Sequence, residues 1–307
     1  MSSVAASRLV HRLEYLLLRA VIAVSAFLSD DGAARLGGGL GRFVYRFVGI
    51  RRRVVEEQLR GSFPERDEGW IRATAAASYA HLGREGLAML RLASLSPDEL
   101  IERTELDGLE AFVAAVEAGR GVVLVTGHLG NWEIGGAALA VRGLPIDVVA
   151  QRQSNPLFDR LVVDTRERLG MRVITRRRAV TQGLRSLRAG RVVAFVADQD
   201  AKGAGTFVPF FGRLASTHRG PALLALRAGA PLFVARMLRM EGGGYRGRIE
   251  EVVVDREGDL DDVVHRMTEA FTARLELGIR VAPGQYLWHH RRWKTPPPEE
   301  RASVPSV

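Results

Sequence analysis

The sequence contains no cysteine and only two lysines, Lys202 and Lys294. The first absence excludes disulfides, thiolate nucleophiles and thiolate metal sites, and suits a reducing compartment. The second means that a net charge of +9 is carried almost wholly by arginine, whose planar fork binds phosphate and carboxylate bidentately. No uninterrupted apolar run reaches the roughly 20 residues of a clean membrane span. Residues 13–28 come nearest, but Glu14 and Arg19 interrupt them, and no cleavage-site pattern marks them as a removed leader. The glycines at 37, 38, 39 and 41 have no strand before them and no GK[ST] after them, so they are not a phosphate loop. Close helix packing or membrane association accounts for them better. No zinc-finger, basic-zipper or RNA-binding aromatic pattern occurs, so nucleic acid is not an expected partner.

What is present is enough apolar material for a full core: 307 residues, 47% hydrophobic and 26% charged. Residues 1–105 read as helical throughout. Within them a stretch at about residues 10–29, with Arg8 just ahead of it, sets Arg12 and Arg19 beside an apolar face, the pattern of a helix lying in, or tilted through, the leaflet of an anionic membrane, with an ordinary core helix as the alternative. From 106 to 294 the pattern alternates. Apolar runs at 122–125, 146–150, 172–174, 192–196, 232–237 and 249–254 are separated by helical stretches at 134–142, 156–169, 179–189, 221–228 and 259–277. This predicts an α/β fold, a mostly parallel sheet flanked by helices. Residues 295–307, rich in proline, are expected to be a disordered tail.

Residues 121–141, GVVLVTGHLGNWEIGGAALAV, read as strand, tight turn and helix, and place His128 at a strand's carboxyl end, where open α/β sheets bind ligands. In one continuous helix His128 and Glu133 would project about 140° apart. With His128 in the turn, Glu133 in the first helical turn can reach back, fix the ring tautomer and leave the other nitrogen as a general base. Such a base would act on a hydroxyl brought by the substrate, with helix-start amides for an oxyanion. A capping histidine with a solvated glutamate is the purely structural alternative. Arg152 follows the run at 146–150, and Asp198, Gln199 and Asp200 follow the run at 192–196, so several strand ends converge on one edge of the sheet. His128, Glu133, Asp198 and Asp200 are permissible metal ligands, but no second histidine stands three or four residues from the first, and no metal is expected. Phe207, Phe210 and Phe211 around Pro209 could wall a tunnel for an acyl chain or be plain core. The closing run YLWHHRRWKT, with its aromatic and cationic groups, suits a membrane interface or a phosphorylated headgroup.

GHLGNWE at 127–133, QRQSNPLFDRLVVDTRERLG at 151–170, ADQDAKGAGTFVPFFGRLAST at 197–217 and WHHRRWK at 288–294 together resemble the bacterial lipid A biosynthesis acyltransferases, the late lauroyl and myristoyl transferases of the lysophospholipid acyltransferase superfamily. YLLLRA at 15–20 and RRRVVEEQLRGSFPE at 51–65 extend the resemblance over nearly the whole chain. The resemblance implies a glycerol-3-phosphate acyltransferase-like fold and an enzyme at the inner membrane with its site facing the cytoplasm. It implies an acyl-carrier-protein or coenzyme A thioester as donor, a glycolipid hydroxyl as acceptor, and no cofactor. On the family's pattern His128 is the base and Glu133 its orienting acid. Arg152 and Arg166 match arginines that bind phosphate or stabilise charge, and Asp198 matches an acidic position used by related mannoside acyltransferases, with Asp200 as its competitor. Asn131, Phe210 and Phe211 complete the expected substrate-binding set. The family's arginine segment commonly reads aromatic, Arg, Pro, where this chain has Ala150, Gln151, Arg152, Gln153. That departure leaves the acceptor open among lipid A precursors, phosphatidylinositol mannosides and lysophospholipids. A non-catalytic lipid-binding protein and a metal-dependent lipid hydrolase are the readings from other classes.

Overall fold

In the computed structural model, which describes residues 2–297, the first hundred residues are helical. The helices are α1 (Ser2–Ala26), α2 (Asp30–Phe43), α3 (Arg52–Ser62), α4 (Glu68–Arg91) and α5 (Pro97–Glu102), with a π-helical turn at Val44–Val48 after α2. Their starts follow local chemistry. Ser29 accepts a hydrogen bond from the Gly32 amide, Asp67 from that of Trp70, and Ser96 and Glu99 form a reciprocal capping box ahead of Pro97. The glycine run packs α2 against α4. A Cβ at Gly37 would lie 2.5 Å from the Gly83 carbonyl oxygen, and one at Gly41 2.0 Å from that of Tyr79, so only glycine permits the contact.

The remainder alternates strand and helix: β1 (Thr104–Asp107), α6 (Leu109–Glu117), β2 (Val122–Thr126), α7 (Trp132–Ala140), β3 (Ile146–Ala150), α8 (Pro156–Arg168), β4 (Arg172–Thr175), α9 (Ala179–Arg188), β5 (Val192–Val196), β6 (Thr206–Phe210), β7 (Arg213–Thr217), α10 (Gly220–Ala228), β8 (Leu232–Arg239), β9 (Tyr245–Glu251) and α11 (Leu260–Val281). Seven strands form one sheet in the order β1-β9-β8-β2-β5-β3-β4, parallel except for the β8–β9 pair. The α/β architecture with a mostly parallel sheet is therefore as the sequence predicts. Alternation along β2 supplies both cores: Leu124 joins Phe112, Ile134 and Phe233 on one face, while Val123 and Val125 join Val193, Leu232 and Phe271 on the other.

Three strands escape the sequence pattern. Strand β1 is a four-residue edge without an apolar run, and β6 with β7 makes a separate antiparallel hairpin. The hairpin settles the aromatic cluster. Phe210 and Phe211 are buried in a third core with Leu59, Phe63, Ile71, Tyr79 and Trp288, so the expectation that they wall an acyl tunnel is corrected. Strand β9 begins earlier than the apolar run at 249–254 because Tyr245, Gly247 and Ile249 alternate inward with exposed arginines.

Among the described residues no helix is long and apolar enough to cross a membrane. Helix α1 covers most of the stretch expected at a membrane surface and leaves Leu9, Leu13, Leu16, Leu17 and Val24 exposed. Of the expected tail at 295–307, residues 298–307 lie outside the described residues.

Candidate active site

Parallel register assembles the site. Strands β2 and β5 pair with Thr126 opposite Val196, and the ladder closes with the Ala197 amide donating to the Thr126 carbonyl at 2.9 Å. Two residues past each strand end, His128 and Asp198 come side by side. The His128 ring Nδ1 donates to Asp198 Oδ1 at 2.7 Å, and the His128 amide donates to Oδ2 at 2.8 Å, so both carboxylate oxygens face one residue. Nε2 accepts from the Gln199 side-chain amide at 3.3 Å. This network assigns the Nδ1–H tautomer and leaves Nε2 as the basic nitrogen.

The turn that carries His128 is clamped from two sides. On one side the Leu287 amide donates to the His128 carbonyl at 3.0 Å and the Gly130 amide to the Gln285 carbonyl at 2.9 Å. Gly130 has φ +62°, and a Cβ there would stand 1.8 Å from the Met237 carbonyl oxygen, so the turn requires glycine. The closing aromatic and basic run thus serves chiefly inside the protein. Trp288 and Arg292 are buried, and Arg292 donates to the Ser216 carbonyl and to the Thr217 hydroxyl.

On the other side stands Glu85 of α4. It accepts from Asn131 Nδ2 at 2.7 Å, from the Tyr245 hydroxyl at 2.8 Å and from Arg239 Nε at 2.5 Å. Asn131 in turn caps α7 by accepting from the Ile134 amide at 3.0 Å. Asn131 is buried with its side chain committed to Glu85 and Ile134, and it does not line the cavity that His128 lines, so its expected place among substrate-binding residues there is corrected. The sequence gives no sign of Glu85's role, since its partners lie 46 to 160 positions away. Replacing Glu85 by alanine strands a guanidinium, a phenol and an amide in the interior. The expected result is a loss of about 3 kcal/mol of stability in urea unfolding, and a change below about 0.5 kcal/mol would show the cluster to be idle.

Glu133 does not orient His128. It lies in the first turn of α7, but its carboxylate is held by Arg166 of α8, whose Nε donates to Oε2 at 2.9 Å and whose terminal nitrogen donates to Oε1; Trp132 Nε1 adds a bond at 3.1 Å. The orienting acid at His128 is Asp198. Asp200 is turned away: its amide donates to His290 Nε2 at 3.0 Å, and its carboxylate accepts from the Thr295 hydroxyl at 2.9 Å. Among the described residues no three His, Asp or Glu side chains gather as a metal set.

Charge stabilises the pair. Burial would raise the Asp198 carboxyl and depress the His128 imidazole, but each partner's field and shared hydrogen bonds outweigh it. Asp198 is brought down to about 2 and His128 is raised above its ordinary 6.5. The stability that Asp198 contributes is therefore complete above its ordinary 3.8 and is lost as pH falls through 2. That from protonated His128 is complete below 6.5 and lost as pH rises through the raised value.

His128 Nε2 faces a cavity of about 640 Å³. It is lined by the polar groups of His128, Trp132, Glu133, Arg166, Gln199 and His218 and by apolar Leu124, Leu139, Val148, Met171, Met237 and Ile249. A largely apolar lining that includes a histidine and a few other polar groups fits a ligand with a hydrocarbon chain and a polar group. Arg166 lines the cavity, with its guanidinium held by Glu133. Arg152 does not: it is exposed and lines a separate basin with Arg176, Arg177 and Arg178.

The family model for bacterial lipid A biosynthesis acyltransferases matches residues 5–295. The chain is 32% identical over 269 residues to a lipid A biosynthesis lauroyltransferase of Escherichia coli (strain K12), covering 86% of this chain and 85% of that protein. It is 27% identical to a lipid A biosynthesis palmitoleoyltransferase of the same organism, over 85% of each chain. It is also 31% identical over 213 residues to a phosphatidylinositol mannoside acyltransferase of Mycolicibacterium smegmatis (strain ATCC 700084 / mc(2)155), over 67% of each.

Proposed function

We infer the reaction from the premise that the chain belongs to the bacterial lipid A biosynthesis acyltransferase family, and is thus an acyltransferase that takes an acyl donor and a glycolipid acceptor. The reading is O-acyl transfer from a carrier-protein or coenzyme A thioester to a hydroxyl of a lipid A precursor or a similar glycolipid, with His128 as general base. The observation that carries it is His128 fixed by Asp198 with Nε2 open to an apolar cavity of about 640 Å³.

The fatty chain of the donor lies along Leu124, Val148 and Met237, with its thioester beside His128. The acceptor hydroxyl displaces the Gln199 amide and donates its proton to Nε2 as its oxygen attacks the thioester carbonyl. A new C–O bond forms, the C–S bond breaks, and the thiolate leaves, taking up the proton from the imidazolium directly or through solvent. Negative charge gathers on the carbonyl oxygen at the start of α7, whose positive end and first amides oppose it. Asp198 stays ionised and stabilises the imidazolium.

A membrane surface fits the acceptor. Phe27, Leu36, Leu40, Phe43 and Phe47 are exposed as well as the apolar residues of α1, and Asn155 at the head of α8 donates to the His11 carbonyl and the Glu14 carboxylate, both at 2.9 Å, joining α1 to the site region. We propose the inner membrane, with the site facing the cytoplasm, as its location, in line with the family resemblance.

The test of the reading is transfer of a labelled acyl group from thioester to glycolipid, with mass analysis of the protein itself. Direct attack yields an acylated lipid and unmodified protein; a covalent acyl-enzyme would contradict it. Chain length offers a further check. A side chain at Gly136 would enter the cavity beside Met171 Sδ, which stands 3.2 Å from the position of a Cβ. Gly136→Leu is expected to lower kcat/KM about tenfold for long acyl donors while sparing short ones, since each displaced methylene costs about 0.8 kcal/mol. Equal loss for all lengths would show that the chain lies elsewhere.

A further inference from the structure

We propose that Arg152, Arg176, Arg177 and Arg178 form a phosphate-ester site at the rim of the catalytic cavity. They leave the ends of adjacent strands β3 and β4 and line a basin of about 930 Å³ together with Gln151, Thr175 and Gln182. All four arginines are exposed, and among the described residues no carboxylate pairs with any of them. Among the described residues the Arg176 side chain makes one hydrogen bond, to the Gln151 amide oxygen at 3.5 Å, and it is the arginine that lines both basin and cavity.

The cavity's other guanidinium groups are occupied: Arg166 by Glu133, and Arg236 by Glu250 at 3.3 Å. A negative group on a ligand reacting at His128 therefore meets a free guanidinium at the rim. With strands about 4.8 Å apart, the ends of β3 and β4 lie roughly 10–14 Å along the sheet edge from His128. A phosphorylated arm or headgroup can cover that span while its reactive end stays at the imidazole. Four guanidinium groups and neutral amide and hydroxyl donors around a concavity match phosphate oxygens. An acidic protein face would need no basin.

The phosphate comes either from the thioester donor or from the acceptor's headgroup, and in both cases the site rests on the acyl-transfer reading for the ligand's other end. The test is binding without turnover, using free coenzyme A in calorimetry and phosphatidylcholine vesicles with and without phosphatidic acid in sedimentation. The proteins are wild type, the triple variant Arg176→Gln, Arg177→Gln, Arg178→Gln, and Arg152→Gln alone. The exposed positions leave the core untouched, and unfolding curves check this.

Binding of at least one probe is expected to weaken about tenfold or more in the triple variant, and less in the single one. Loss for coenzyme A alone assigns the donor's phosphate, loss for phosphatidic acid alone the acceptor's headgroup, and loss for both a shared site. Unchanged binding of both overturns the proposal. So does an equal loss for acyl carrier protein lacking its phosphopantetheine arm, which would make the patch a protein-docking face. Unchanged probe binding beside normal acyl transfer removes this site alone, whereas full activity of a His128→Ala protein removes the catalytic reading and leaves the binding result standing.

Discussion

Replacing His128 by alanine is expected to lower acyl transfer by about two to four orders of magnitude, the usual contribution of a positioned general base. The loss should fall on kcat more than on KM, because the imidazole meets the acceptor's proton only as the new bond forms. Stability should fall as well, because the variant leaves the buried Asp198 carboxylate without its charged partner and loses the contact with Trp132, whose ring centroid is 4.7 Å from that of His128. Acyl transfer from a labelled thioester, with urea unfolding alongside, separates a chemical loss from a folding one. An unchanged rate in a folded variant would remove His128 from the chemistry.

Asp198→Asn carries the second large effect, a fall of roughly a thousandfold. The asparagine side chain fits the same space but presents either a carbonyl or an amide to Nδ1, and it cannot stabilise the imidazolium that forms during attack. Burial, no longer opposed by the aspartate's charge, then depresses His128. The rising limb of activity should move to lower pH even as the plateau drops. The variant should also lose the acid-side dependence of stability between the ordinary carboxyl value of 3.8 and about 2. A variant retaining both rate and pH profile would show that Asp198 only holds the loop.

How far these residues were legible in the sequence depends on how local their partners are. The β2–turn–α7 unit is written contiguously, so His128 could be placed at a strand's carboxyl end from pattern alone. The run at 192–196 marked the second strand end, and equal offsets past Thr126 and Val196 make His128 and Asp198 neighbours once the strands are known to pair in register. Which carboxylate turns to His128 was not legible. Glu133 is only five positions away, but Arg166, 33 positions further along, captures it, and no local pattern shows that competition. Asp200 is drawn off in the same way by Thr295.

The same limit explains the other corrections. An aromatic cluster reads alike as core or tunnel wall, and the hairpin of β6 and β7 decides the matter by turning Phe210 and Phe211 toward Phe63 and Trp288. The cavity is instead lined by scattered aliphatic residues on β2, β3, β8 and α7, each an ordinary strand or helix residue in sequence. Glu85 on α4 and the paired Arg239 and Tyr245 on β8 and β9 come from distant segments, and only tertiary structure brings them to the cap of α7.

The central claim is that the group whose deprotonation switches on acyl transfer is His128, with its affinity for protons raised by Asp198. The most direct measurement is the pH dependence of kcat/KM for wild type and for the residual activity of His128→Ala. In the wild type the rate should rise with pH to a plateau, with its midpoint above 6.5, and the alanine variant should lack that limb. The same limb persisting without His128 would contradict the account.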